Sequence, residues 1–191
     1  MNLKRLAALC GLLTPTITLA LIFISIKLSP WFSWHDNALS DLGVSATPNP
    51  FNAALLSGGG LHLLFVVFGV RAIIGAGRLA RTGFGLLLLG AIALPLIGVF
   101  TEAYGRTHYY VAATYFLATP LGYVLIGSGW LRRGERVSGV LSIAAGVAAL
   151  FAITLVPHKR IAVPEILAAT LMGAWTFASG VNLLLEKPPH E

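Results

Sequence analysis

The chain has 191 residues, of which 57% are hydrophobic and 10% charged, with a formal net charge of +6. Soluble domains carry about 25% charged residues, so this chain cannot cover its own surface with polar groups, and its solvent is lipid. The basic excess is clustered by position, which points to membrane orientation rather than a nucleic-acid partner. The one cysteine, Cys10, lies in an apolar run and excludes an intrachain disulfide or a CxxC metal site.

Residues 6–28 form the first apolar run, interrupted by Thr14, Pro15, Thr16, Thr18 and Lys27. A cleaved signal peptide has an apolar core of about 7–15 residues followed by a small-residue cleavage site. This run is longer and has no such site, so it is read as a span. Lys27 near its end can snorkel to the interface. A polar, aromatic loop follows at 31–43, holding Trp31, Phe32, Trp34, Asp36, Asn37, Ser40, Asp41 and Gly43. The second span, 51–70, carries Gly58 to Gly60 and His62, and a linker with Arg71, Arg78 and Arg81 comes next. The third span is 83–100 with Pro95, and a tight polar loop at 102–106 leads to the fourth span, 108–131, with Pro120. A basic linker (Arg132, Arg133, Glu135, Arg136) precedes the fifth span, 137–156. His158, Lys159, Arg160 and Glu165 lie between it and the sixth, 166–185.

Six apolar runs of about 20 residues each cross a hydrocarbon core about 30 Å thick as helices. A barrel would need alternating strands of about 10 residues, and no such pattern exists here. The fold class is therefore all-α, a polytopic membrane protein with six transmembrane helices in one domain over residues 1–191. Lys and Arg split nine (Lys4, Arg5, Arg71, Arg78, Arg81, Arg132, Arg133, Arg136, Lys187) against four (Lys27, Arg106, Lys159, Arg160) between the two faces. That places both termini in the cytoplasm. Asp36, Asp41, Glu102 and Glu165 then face the exterior of the cell membrane together.

The element Asn37-Ala-Leu-Ser40-Asp41-Leu42-Gly43 before the second span, with Glu102 and His108 opening the fourth, resembles domain of unknown function 998. This is a group of small prokaryotic, often archaeal, six-helix membrane proteins, and the resemblance covers nearly the whole chain. A more distant resemblance runs to the eukaryotic DRAM and Sfk group, some of whose members act in lipid remodelling. The resemblance implies topology and no particular chemistry.

The residues themselves offer several chemistries. Asp41, Glu102, His108, His158 and Glu165 are carboxylates and imidazoles near one surface. Asp41, Glu102 and His108 have the donor types of a divalent-metal site. A metal there would activate water. Without one, a His–carboxylate pair would serve as general base with Ser40 as nucleophile. Arg106, Lys159 and Arg160 can grip a lipid phosphate, or neutralise the acids in an ion-pair network. Trp34, Asn37 and His62 complete the set of candidate binding residues. His62 sits near the bilayer midplane, where an ionisable side chain is a functional candidate. Haem would need a second deep histidine at matched depth, and the sequence has none. The plainer expectation for His62 is a neutral imidazole bonded to Ser57, a threonine or a backbone carbonyl. Asp36 or Asn37 is expected to cap a short interfacial helix ended by Gly43. Tyr104, Tyr109, Tyr110, Tyr115 and Trp130 read as interface anchors.

The composite expectation is an enzyme or binding protein for a membrane lipid or lipid-linked substrate at the outer face. The alternatives are a proton- or cation-coupled transporter using His62 and the outer carboxylates, and a non-catalytic membrane-organising protein. The sequence leaves a homo-oligomer and a catalysed reaction open.

Overall fold

The structure, a computed structural model, describes residues 2–155 and 162–185. Six long helices account for most of them: α1 (Leu3–Lys27), α2 (Asn49–Ile73), α3 (Arg78–Val99), α4 (Arg106–Arg132), α5 (Arg136–Leu155) and α6 (Ala162–Leu185). All six are long and apolar enough to cross a membrane. They begin and end where local chemistry allows. Asn2 caps α1 by accepting from Arg5 N at 2.9 Å. Gly75 and Gly134, both at positive φ, turn the chain tightly between α2 and α3 and between α4 and α5.

Several helices outrun the apolar runs in the sequence. Arg71 belongs to the last turn of α2, and Arg78 and Arg81 to the first turn of α3, so the expected Arg linker shrinks to a few residues. Charged side chains at helix ends reach water by their long stems, so helical backbone continues past the greasy stretch.

Each helix packs on its neighbours in sequence, and α6 closes the ring on α1. The ring needs close helix approach. A Cβ on Gly83 would stand 2.9 Å from the Gly122 carbonyl oxygen, and one on Gly59 would stand 2.6 Å from Pro95. Gly58 to Gly60 are thus taken up mainly by neighbouring helices, with Gly58 against Thr18 of α1 and only Gly60 open. Inside the α4–α5–α6 side, Tyr123 stacks on Trp175 with centroids 4.0 Å apart, and Trp175 Nε1 donates to Ser142 Oγ at 2.6 Å. Trp130 stacks on Trp175 from below and is buried, so it is a core residue and not an interface anchor.

The two ends of the bundle differ in charge. The basic end carries Arg71, Arg78, Arg81, Arg132, Arg133 and Arg136. There Arg133 Nη1 donates to the Ile74 carbonyl at 2.9 Å and closes the C-terminus of α2. The other, acidic end carries the 28–48 loop, the Phe100–Gly105 turn and the start of α6. The candidate site lies there.

Candidate functional site

The 28–48 loop folds around a two-turn 3₁₀ helix, Leu39–Val44. Its capping differs from expectation. Asp36 accepts from its neighbour Ser33 Oγ at 2.6 Å. The capping carboxylate is Asp41, whose Oδ2 accepts from Ala38 N at 3.0 Å and Asn37 Nδ2 at 2.9 Å. An acid inside the first turn can reach back over the free N–H groups, which Asp36, outside the turn, cannot. Leu42 is fully buried, and Gly43 lets α2 come close: a Cβ there would lie 2.7 Å from Asn52 Oδ1. Asn52 Nδ2 in turn donates to the Gly43 carbonyl at 3.0 Å.

Two acids from other elements clamp this turn. Glu165, in the first turn of α6, accepts from Leu39 N at 2.7 Å. Beside it, Ala162 N donates to the Asn37 carbonyl at 3.1 Å. Glu102, on a single 3₁₀ turn between α3 and α4, accepts from Ser40 Oγ at 2.5 Å. Gly105 makes that connection possible, since its φ of 52° and ψ of −114° suit only glycine. The next helix then starts at once and points His108 back, with Nδ1 2.7 Å from the Phe100 carbonyl. A carbonyl only accepts, so Nδ1 carries the proton in this bond.

Ser40, Asp41, Glu102, His108 and Glu165 therefore meet. Burial pushes the Glu102 carboxyl above its ordinary range, and the facing Asp41 adds to the push, while the Ser40 hydroxyl and His108 oppose it. A carboxyl that holds its proton more tightly in the folded chain stabilises the fold while protonated. That contribution is whole below the unfolded value of 4.5 and is lost as pH rises through the higher folded value. Thermal unfolding should therefore show Tm falling as pH is raised through that window. Glu102→Gln should flatten this part of the profile, and an unchanged slope in the variant would contradict the assignment.

Below the cluster lies a cavity of about 70 Å³ between the helices. Ser40, His108 and Glu165 line its mouth, Leu55, Leu94 and Ile97 its walls, and His62 with Thr14 and Thr176 its inner end. Phe51 to His62 on α2 and Glu165 to Thr176 on α6 each cover about 16 Å at 1.5 Å per residue. Drawn out over that length, the cavity is a narrow slot. Its mouth joins a wider vestibule of about 550 Å³ that shares Ser40, His108 and Glu165 and adds Glu102 and Tyr109. At the inner end Phe65 is fully buried, and its ring packs beside Gly11 and Gly69 in the contact between α1, α2 and α6. Phe65 also opens a stretch of π-helix, Phe65–Val70, a distortion common near functional sites.

A six-helix bundle of this length, carrying the Ser-Asp-Leu-Gly turn, invites comparison with known families, and residues 12–182 match the model of DUF998, a family of proteins of unknown function. The chain belongs to DUF998. No curated protein and no solved structure matches it. With six apolar helices, this DUF998 member is a multi-pass membrane protein.

Other candidates lie elsewhere in this DUF998 chain. Trp34 packs edge-on against Phe32, with centroids 5.4 Å apart, and against the core, outside the cavity. Arg106 is exposed and, among the described residues, pairs with none of the acids near it. His158, Lys159 and Arg160 lie outside the described residues. Among the described residues, no group of three His, Cys, Asp or Glu side chains is placed to hold a metal ion.

His62 departs from the plain expectation. It is 2% exposed, and neither ring nitrogen has a hydrogen-bond partner. Ser57 is exposed and donates to its own helix at Ala53 O, 2.6 Å away. Thr14 and Thr18 likewise donate to carbonyls of α1, at 2.8 and 2.7 Å. Each hydroxyl finds a carbonyl one turn back and leaves the imidazole unserved. Tyr115, read from the sequence as an interface anchor, is 8% exposed and lines the cavity. It was legible in principle, because His108, Ala112, Tyr115 and Phe116 share one helical face. Tyr104, Tyr109 and Tyr110 are exposed, as interface anchors would be.

Proposed function

We propose that the protein binds a membrane amphiphile, with one alkyl chain in the slot and a polar head at the acidic end, on the outer face of the membrane. The observation carrying this reading is the continuity of a narrow, mostly apolar cavity with a polar mouth made by Ser40, His108 and Glu165. A chain moving from lipid into the slot gains little, since both surroundings are apolar. Selectivity therefore falls to the head. The mouth is rich in acceptors: the carboxylates of Glu102 and Glu165 and the Ser40 hydroxyl oxygen. It suits a head bearing donors, an amine or hydroxyls, and hydrogen bonds to charged groups are worth about 1.5–3 kcal/mol each.

Dodecylamine is the direct probe. It should bind the protein in nanodiscs saturably and raise its Tm, and dodecyl sulfate at equal concentration should not. Equal effects from both would overturn the reading.

One distance favours a reactive version of the same site, namely the 2.5 Å bond from Ser40 Oγ to Glu102. On an acyl-ester head, Ser40 Oγ would bond to the carbonyl carbon while its proton passes to Glu102. The alcohol would leave with that proton, and water would then release the acyl group from Ser40. Intact-mass analysis after incubation with p-nitrophenyl laurate checks this. An added lauroyl group that Ser40→Ala abolishes supports the version, and an unmodified chain rejects it. A transport path through His62 has less support, because buried Phe65 packs into the contact between α1, α2 and α6 at the inner end.

A further inference from the structure

The inner end of the slot holds the bundle's most conspicuous unmet hydrogen-bonding demand. His62 is almost fully buried and both its ring nitrogens lack partners, yet the side chain faces a cavity rather than packed carbon. The surrounding threonine hydroxyls have no proton left to give it. Thr14 and Thr18 give their protons to the carbonyls of Cys10 and Thr14, and Thr176 gives its proton to Met172 O at 2.9 Å while its oxygen lies 3.2 Å from the Tyr123 hydroxyl. Each of these oxygens offers only lone pairs to the cavity. Imidazole in its neutral form has one donor and one acceptor. The inner end thus presents the His62 N–H and the threonine acceptors, with the Tyr115 side chain on the same cavity wall.

That inventory selects a chemistry. A ketone or ester carbonyl would use the one N–H and leave every acceptor empty. An ammonium would satisfy acceptors and leave the N–H idle. A hydroxyl does both, accepting from His62 and donating to a threonine oxygen. We propose that the blind end of the slot is a hydroxyl-binding site, so that the amphiphile taken by this protein carries an alcohol group far along its chain from the head. This rests on the reading of the slot as an amphiphile site and adds the second point of recognition. The span from the mouth to His62 is about 16 Å, close to the length of an extended dodecyl chain. In lipid the same hydroxyl would lie among hydrocarbon with no partner, so its transfer to His62 is favoured where that of methylene groups is not.

The test compares dodecylamine with ω-hydroxydodecylamine on the full-length protein in nanodiscs, by calorimetric titration. The ω-hydroxy compound should bind about tenfold more tightly, the ratio expected for one hydrogen bond gained inside a bundle. His62→Leu should erase that difference, whatever it does to the affinity for dodecylamine itself. His62→Gln, which restores one donor and one acceptor, should recover part of it. If dodecylamine binds and the hydroxyl adds nothing, water or nothing occupies the inner end: the hydroxyl site is overturned and the amphiphile site stands. If neither compound binds, both fall. Should His62→Leu fail to fold, the equality or inequality of the two compounds on the unaltered protein still decides.

Discussion

Replacing Ala112 with tryptophan should abolish dodecylamine binding, raising Kd by about a hundredfold or more, equivalent to about 2.7 kcal/mol. Ala112 lines both the slot and the vestibule, so it stands where a ligand must pass from one to the other. An indole added there enters open space in preference to packed core, and the loss of binding should come with little loss of Tm. Ala169→Phe fills the slot from α6 on another wall and should act in the same direction. Calorimetric titration of both variants checks the point. Undiminished binding in a folded Ala112→Trp protein would place the ligand elsewhere on the molecule.

Replacing Glu165 with leucine should cost the fold about 1–3 kcal/mol. The reason lies in one backbone group. Leu39 is buried, and its N–H donates to Glu165 Oε2 at 2.7 Å. Without that oxygen the amide loses its acceptor in a place water reaches poorly, and the turn loses one of its ties to α6. Among the described residues, the Ala162 to Asn37 backbone bond remains as a hydrogen-bonded tie. In a chain of this size the loss should appear as a Tm lower by roughly 2–10 °C. Glu165→Gln keeps a carbonyl acceptor at the same reach and should recover most of it. If leucine and glutamine variants lose equally, the carboxylate matters through its charge, and the clamp described here is wrong.

The bundle was legible because its cause is local to each segment. Six apolar runs of span length leave helices as the only backbone solution in lipid. The acidic cluster was also visible, since Ser40, Asp41, Glu102, His108 and Glu165 all sit at the ends of spans that an alternating topology brings to one face. What the sequence hides is pairing. Nothing in the order of residues tells that Asp41 serves its own turn, or that Ser40 reaches Glu102 sixty-two positions away. Nor does it tell that Glu165 holds the Leu39 amide. Those choices follow from which helices are neighbours in the ring. The slot was hidden for the same reason, because Tyr115 and Thr176 become its wall only once α4 and α6 are placed. His62 shows a different limit. Its depth was plain from counting residues, but its lack of partners depends on three threonines each turning back to its own helix.

Mapping where a photoactivatable dodecylamine attaches is the most direct measurement. The probe carries a diazirine midway along the chain, is irradiated with the protein in nanodiscs, and the adducts are located by peptide mass spectrometry. Adducts should concentrate on slot residues such as Leu94, Ile97, Tyr115 and Met172, and unlabelled dodecylamine should compete them away. Adducts confined to outward-facing residues such as Leu121, Phe151 and Leu184, insensitive to competitor, would show that the chain only bathes the bundle and that the slot holds no amphiphile.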